Sequence, residues 1–188
     1  MPSPAEANRR LIRREDAVLV VIDVQEKLVP HIAGEADLIA NLARFARVAE
    51  IIGLPVMVTE QIKLGPTVPE VMWHVKGVTP ITKADFGCFG CEEFTAALAA
   101  LGRNTLILAG IEAHICVAQT ALQALEAHTV HVLSDAVGSR VAENRQVALD
   151  RMRAAGAVIT STEMAIYELL VRAGTDEFRE VLKLVKGE

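Results

Sequence analysis

Strand-length apolar runs recur along this chain, and segments with helical periodicity separate most of them. The clear runs are AVLVVIDV, LPVMVTE, TLILAGI, TVHVLSDA and AVITS, with GVTPIT a weaker sixth. ADLIANLARFARVAEIIG and CEEFTAALAALG carry the helical pattern and end at Gly53 and Gly102, residues suited to stopping a helix. ICVAQTALQALEAH and ENRQVALDRMRAAG continue the alternation. Strand followed by helix, repeated, predicts a three-layer, Rossmann-like α/β fold: a parallel sheet with helices on both faces.

The composition agrees with such a sheet. Hydrophobic residues make up 52% of the chain and aromatics only 4%, so the core must be built from Val, Leu, Ile and Ala. At 188 residues, the expectation is one domain over 1–188, with 1–15 as a leading segment. QIKLGPTVPEVMWHVKG, with two prolines and two glycines, reads as a loop holding one helical turn and forming a pocket wall. TEMAIYELLVRAG and TDEFREVLKLVKGE read as closing helices, the second with its apolar side at Phe178, Val181, Leu182 and Val185.

Charge and motifs exclude several partners. The formal net charge is −5, and Lys and Arg are scattered, which leaves no electrostatic footprint for nucleic acid. The one basic cluster, RRLIRR, is followed by Glu15 and Asp16 and reads as part of the solvated leading segment. MPSPAEANRR lacks the apolar stretch of a signal peptide, and no run approaches the ~20 residues of a membrane span. A cytoplasmic location is the resulting expectation, and three cysteines fit a reducing compartment. No dinucleotide fingerprint or phosphate-binding loop is present, so no cofactor is expected.

Three strand ends carry complementary chemistry. VLVVIDVQ presents Asp23, VTPITKADFGCF presents Lys83, and GIEAHIC places Cys116 six residues after Gly110, where a buried strand hands over to a helix. In a parallel sheet these ends converge on one crevice. Each residue has a plainer reading: Cys116 as a small buried hydrophobe, Asp23 as a helix cap, Lys83 as a surface charge. Their coincidence favours a cysteine hydrolase, in which Lys83 lowers the thiol pKa and Asp23 accepts the thiol proton and passes it to a leaving amine. The neighbouring Phe86 and Phe89 point to a partly buried Lys83. Cys88 and Cys91 form a CFGC pair without the second ligand pair that zinc requires, and they read as structural. The histidines, at 31, 74, 114, 128 and 131, show no metal-binding spacing, so no metal site is expected; His114 lies close enough to Cys116 to shape the pocket.

Taken in order, VVIDVQ, ITKADFGCF and LAGIEAHICV resemble the three signature segments of the isochorismatase-like cysteine hydrolase superfamily, which includes nicotinamidases and N-carbamoylsarcosine amidases. The resemblance runs from about Ala17 to the C-terminus, through SDAVGSR and ALDRMRAAGAVIT. It implies a six-stranded parallel sheet, a triad of Asp23, Lys83 and Cys116, and a cis peptide between Ile111 and Glu112. It also implies an oxyanion hole made by the N–H groups of Glu112 and Cys116. Nicotinamidases carry an aspartate and histidines for a metal after the second strand, where this chain keeps only His74, which argues against metal assistance. Isochorismatases that cleave a vinyl ether lack the cysteine. The expected activity is cleavage of a small-molecule amide or related acyl compound through a thioester, with Gln25, Leu28 and Phe89 as the pocket wall and self-association into a homo-oligomer. Two other readings stand beside it: a regulatory member acting through protein association, and a thiol redox sensor.

Overall fold

β1 (Ala17–Ile22) is buried along its whole length, and its side chains alternate between two cores. In this computed structural model, which describes residues 11–187, β1 lies inside a six-stranded, all-parallel sheet. The other strands are β2 (Val56–Gln61), β3 (Ile81–Lys83), β4 (Thr105–Ile111), β5 (Thr129–Gly138) and β6 (Val158–Thr160). Their order is β3-β2-β1-β4-β5-β6. Among the described residues the α-helices are α1 (Glu35–Ile52), α2 (Pro69–Met72), α3 (Glu92–Leu101), α4 (Ala118–Ala124), α5 (Ala142–Ala155), α6 (Thr162–Leu170) and α7 (Asp176–Lys186).

The period of two along a strand decides which core each residue enters. Ala17, Leu19 and Val21 pack with Phe45 of α1, Ile166 of α6 and Val181 of α7. Val18, Val20 and Ile22 pack on the other face with Phe94 of α3, Ala121 of α4 and Leu149 of α5. Since both faces are covered, the strands read as continuous apolar runs. The helix stops lie where the glycines placed them: Gly53 and Gly102 take φ of 65° and 61° at the ends of α1 and α3. Among the described residues no helix is long and apolar enough to cross a membrane.

The leading segment differs from its sequence reading. Residues 1–10 lie outside the described residues, but residues 11–15 are not simply solvated. Ile12 is buried and its N–H donates to Glu168 at 2.8 Å, while Arg14 pairs with Glu177 at 3.0 Å. Arginines read as a solvated cluster flank an isoleucine that belongs to the core under α6 and α7.

Candidate active site

The strand order reverses between β1 and β4, and the crevice outside their C-terminal ends is where an open α/β sheet binds ligands. Asp23 is the first residue beyond β1, fully buried, with φ of 54°. A non-glycine residue in the left-handed region is uncommon, and aspartate is among the side chains that tolerate it. β4 approaches closely here: a Cβ on Gly110, the register partner of Ile22, would lie 2.1 Å from the Ile22 carbonyl oxygen. Only glycine lets the two strand ends run this close.

Both oxygens of Asp23 are held. Thr59 Oγ1 donates to Oδ1 at 2.8 Å, and Lys83 Nζ donates to Oδ2 at 2.7 Å. Lys83 ends β3, and its ammonium lies among three further acceptors: Gln61 Oε1 at 2.9 Å and the carbonyls of Asp85 and Phe86 at 3.1 Å each. Its side chain is wholly enclosed, as is that of Asp23. A buried charge with this set of partners is oriented and cannot swing toward solvent.

Cys116 lies in a π-helical turn, Ala113–Val117, between β4 and α4. Such turns are rare and often mark functional sites. The N–H groups of Ile115 and Val117 bond to the Glu112 carbonyl at 3.1 and 3.2 Å; the Cys116 N–H, between them in the chain, makes no bond to it. The Ile111–Glu112 peptide is cis. The thiol is buried, and the charges of Asp23 and Lys83 both act on it.

One electrostatic expectation is corrected. Burial pushes the Cys116 thiol up to about 12, and the charge of Asp23 adds to the rise; Lys83 acts in the opposite direction and is outweighed. Burial is the largest cause, and Lys83, paired with Asp23 at 2.7 Å, offsets only part of it. The resting group is therefore a neutral thiol close to the Asp23–Lys83 pair.

Cys88 lies behind the site. Its S–H points to Thr59 Oγ1 at 3.9 Å, and its N–H donates to Thr120 Oγ1 at 3.0 Å, whose hydroxyl in turn donates to the Cys116 carbonyl at 2.7 Å. Burial holds the Cys88 thiol up at about 11. Cys91 is half-buried and lies against the Thr82 carbonyl at 3.9 Å.

The three residues expected in the pocket wall have other surroundings. Gln25 is buried and its amide is fully engaged with backbone: Nε2 donates to the carbonyls of Gln61 and Gly65 at 3.0 and 2.6 Å, and Oε1 accepts from the Gln61 N–H at 2.8 Å. It anchors the loop after β2 instead of facing a ligand. Leu28 packs against the small cluster of Ile32, Leu38 and Ile111 at the end of β4. Phe89 stacks edge-on to Phe94 with centroids 5.5 Å apart and lies 6.0 Å from the ring of His128, which precedes β5. Among the described residues no group of three or more His, Cys, Asp or Glu is placed to hold a metal ion.

Two contributors escape a reading along the chain. Thr59 is a buried polar residue inside the apolar run LPVMVTE, and that break in the run is the signal it leaves. Glu112 is the other: its carboxylate accepts from Arg140 Nε at 2.7 Å and lies 3.6 Å from His114. Thr59→Val keeps the shape of the side chain and removes the donor to Asp23 Oδ1. Losing a hydrogen bond to a buried charge costs about 2 kcal/mol. The expected result is a lower melting temperature and roughly tenfold slower alkylation of Cys116; an unchanged alkylation rate would mean that Thr59 does not position Asp23.

Comparison with known proteins gives a consistent result. The family model described as the isochorismatase domain matches residues 17–164. Isochorismatase domain-containing protein 2 of Danio rerio is 37% identical over 173 residues, which span 90% of this chain and 86% of that protein. Among solved structures, the MAR1 ribonuclease of Caenorhabditis elegans superposes with a TM-score of 0.88 at 34% identity, covering 94% of this chain and 93% of its own. The YcaC gene product of Escherichia coli, described as an octameric hydrolase of unknown specificity, superposes with a TM-score of 0.87 at 26% identity, covering 93% and 90%.

Proposed function

The chain belongs to the isochorismatase domain family, and from that premise we propose that it is a cysteine hydrolase cleaving a small amide or related acyl compound through a thioester. The observation that supports this most directly is a buried carboxylate, held at both oxygens by Thr59 and Lys83, whose charge acts on the buried Cys116 thiol. As the sulfur attacks the carbonyl carbon, the thiol proton passes to Asp23. The N–H groups of Glu112 and Cys116 receive the carbonyl oxygen as it gains charge. Asp23 then hands the proton to the leaving amine, the C–N bond breaks and a thioester remains. Water, deprotonated by Asp23, attacks the thioester and releases the acid, and the proton returns to the sulfur. Lys83 touches no substrate in this scheme; its ion pair holds Asp23 in place.

Neutral thiol and ionised acid are the correct starting states for a proton transfer that accompanies attack. The test is a panel of small primary amides, read by ammonia release and by mass spectrometry of the Cys116 peptide. The expected result is ammonia release from at least one amide with an acyl increment on Cys116. RNA belongs in the same experiment, given the name of the Caenorhabditis elegans relative. A formal net charge of −5 gives this chain little attraction for a phosphate backbone. RNA cleavage with no turnover of any amide would overturn the reading.

A further inference from the structure

We propose that Cys88 is the resolving thiol for an oxidised Cys116, so that hydrogen peroxide converts the site into a reversible Cys88–Cys116 disulfide and blocks the nucleophile. This rests on the reading of Cys116 as a nucleophile served by Asp23, and it gives a role to a thiol that the hydrolytic scheme leaves idle. The two cysteines of the CFGC segment have different surroundings. Cys91 is half-buried against the Thr82 carbonyl, whereas Cys88 is fully buried and belongs to the same apolar cluster as Cys116.

Two hydrogen-bonded links tie Cys88 to the site. Through the backbone, one hydroxyl joins the two cysteines: Thr120 Oγ1 accepts from the Cys88 N–H at 3.0 Å and donates to the Cys116 carbonyl at 2.7 Å. Those two backbone atoms are therefore no farther apart than the two bonds laid end to end. Through the side chains, the Cys88 S–H donates to Thr59 Oγ1 at 3.9 Å, and Thr59 donates to Asp23 Oδ1 at 2.8 Å. A proton leaving Cys88 thus has a path of two hydrogen bonds to the carboxylate that serves Cys116. The electrostatics agree: the charges of Asp23 and Lys83 act on both thiols, and charge on Cys88 acts on Cys116.

A cysteine kept for packing alone needs none of these links. Burial raises the two thiols from 9.0 to about 11 and about 12, so each depends on a base to react near neutral pH, and Asp23 is connected to both. The chemistry balances in two steps. The Cys116 sulfur attacks one peroxide oxygen, the O–O bond breaks, and the thiol proton passes by way of Asp23 to the departing hydroxide, giving a sulfenic acid and water. The Cys88 sulfur then attacks the sulfenic sulfur and the S–O bond breaks. Its proton moves through Thr59 and Asp23 to the second departing hydroxide. Two thiols and one peroxide become a disulfide and two waters, with the peroxide as oxidant, and a dithiol reductant reverses the change by thiol–disulfide exchange.

The test treats the intact protein with hydrogen peroxide and maps its cysteines by peptide mass spectrometry without reduction, before and after dithiothreitol. The expected result is a peptide pair linked through Cys88 and Cys116 within one chain, with loss of iodoacetamide labelling at Cys116 that dithiothreitol restores. In Cys88→Ser the same dose carries Cys116 on to sulfinic and sulfonic acid, and dithiothreitol no longer restores labelling. Cys91→Ser behaves as the parent does. A parent in which Cys116 resists peroxide, overoxidises without a link, or links to Cys91 or to another chain overturns the assignment, as does recovery unchanged in Cys88→Ser. Iodoacetamide labelling of the reduced parent and amide turnover read the nucleophile separately. A Cys116 that alkylates and turns over an amide yet never bonds to Cys88 refutes the switch and leaves the hydrolase standing; one that bonds to Cys88 without amide turnover supports the switch while the hydrolase reading fails.

Discussion

Cys116→Ala loses turnover by about 10^4-fold or more on any compound the parent hydrolyses, while unfolding close to the parent's melting temperature. The kinetic figure is the scale of removing the nucleophile from an acyl-transfer site, where residual rate comes only from binding and the oxyanion donors. The stability figure follows from the size of the change. The thiol is buried, so its removal leaves a cavity of roughly one methylene, about 1 kcal/mol. Asp23 keeps its bonds to Thr59 and Lys83 in the variant, and the ion pair is undisturbed. Parallel steady-state kinetics and thermal unfolding check both halves. A variant that retains turnover contradicts the mechanism, and one that unfolds early would make Cys116 mainly a packing residue.

Lys83→Met has the opposite profile, a large loss of stability together with loss of activity. Methionine fills much of the space of the lysine stem but leaves Asp23 buried without its counter-ion, and leaves Gln61 Oε1 and the carbonyls of Asp85 and Phe86 without a donor. Removing one partner of a buried pair costs about 3–5 kcal/mol. For a domain of this length that is a fall of about 10 °C or more in melting temperature. A carboxylate stranded in the core is relieved by taking up a proton, and a protonated Asp23 cannot accept one from Cys116. Calorimetry and Cys116 labelling of the folded variant at low temperature separate the two effects. A variant that melts within a degree or two of the parent would show that the pair is not enclosed as described.

The elements legible in the sequence were those set by local pattern. Apolar runs located all six strands, Gly53 and Gly102 marked helix ends, and the strand-end positions of Asp23, Lys83 and Cys116 were visible because a parallel sheet gathers its C-terminal ends. What the sequence concealed depends on partners far apart in the chain. Thr59 meets Asp23 across 36 positions, Arg140 meets Glu112 across 28, and Cys88 reaches Thr120 across 32. The thiol pKa is hidden for a related reason: Lys83 does favour the thiolate, but the burial that outweighs it comes from packing the chain does not display. The surroundings of Phe89 are equally hidden, because a 3-10 turn at Cys88–Gly90 lies between β3 and α3 and the ring packs on Phe94 and His128.

The central claim is that Cys116 reacts as a neutral thiol whose proton Asp23 removes. Its most direct test is the rate of Cys116 modification by acrylamide against pH, resolved by peptide mass spectrometry, in the parent and in Asp23→Asn. With the thiol raised from 9.0 to about 12, the account predicts modification of Cys116 near neutral pH in the parent, with no plateau from thiolate formation below about 9. It also predicts a rate lower by about 10^2-fold or more in Asp23→Asn, the scale of losing a positioned base. A plateau reached below neutral pH would mean a thiolate stabilised by Lys83, and an Asp23→Asn rate equal to the parent's would mean that Asp23 is not the base.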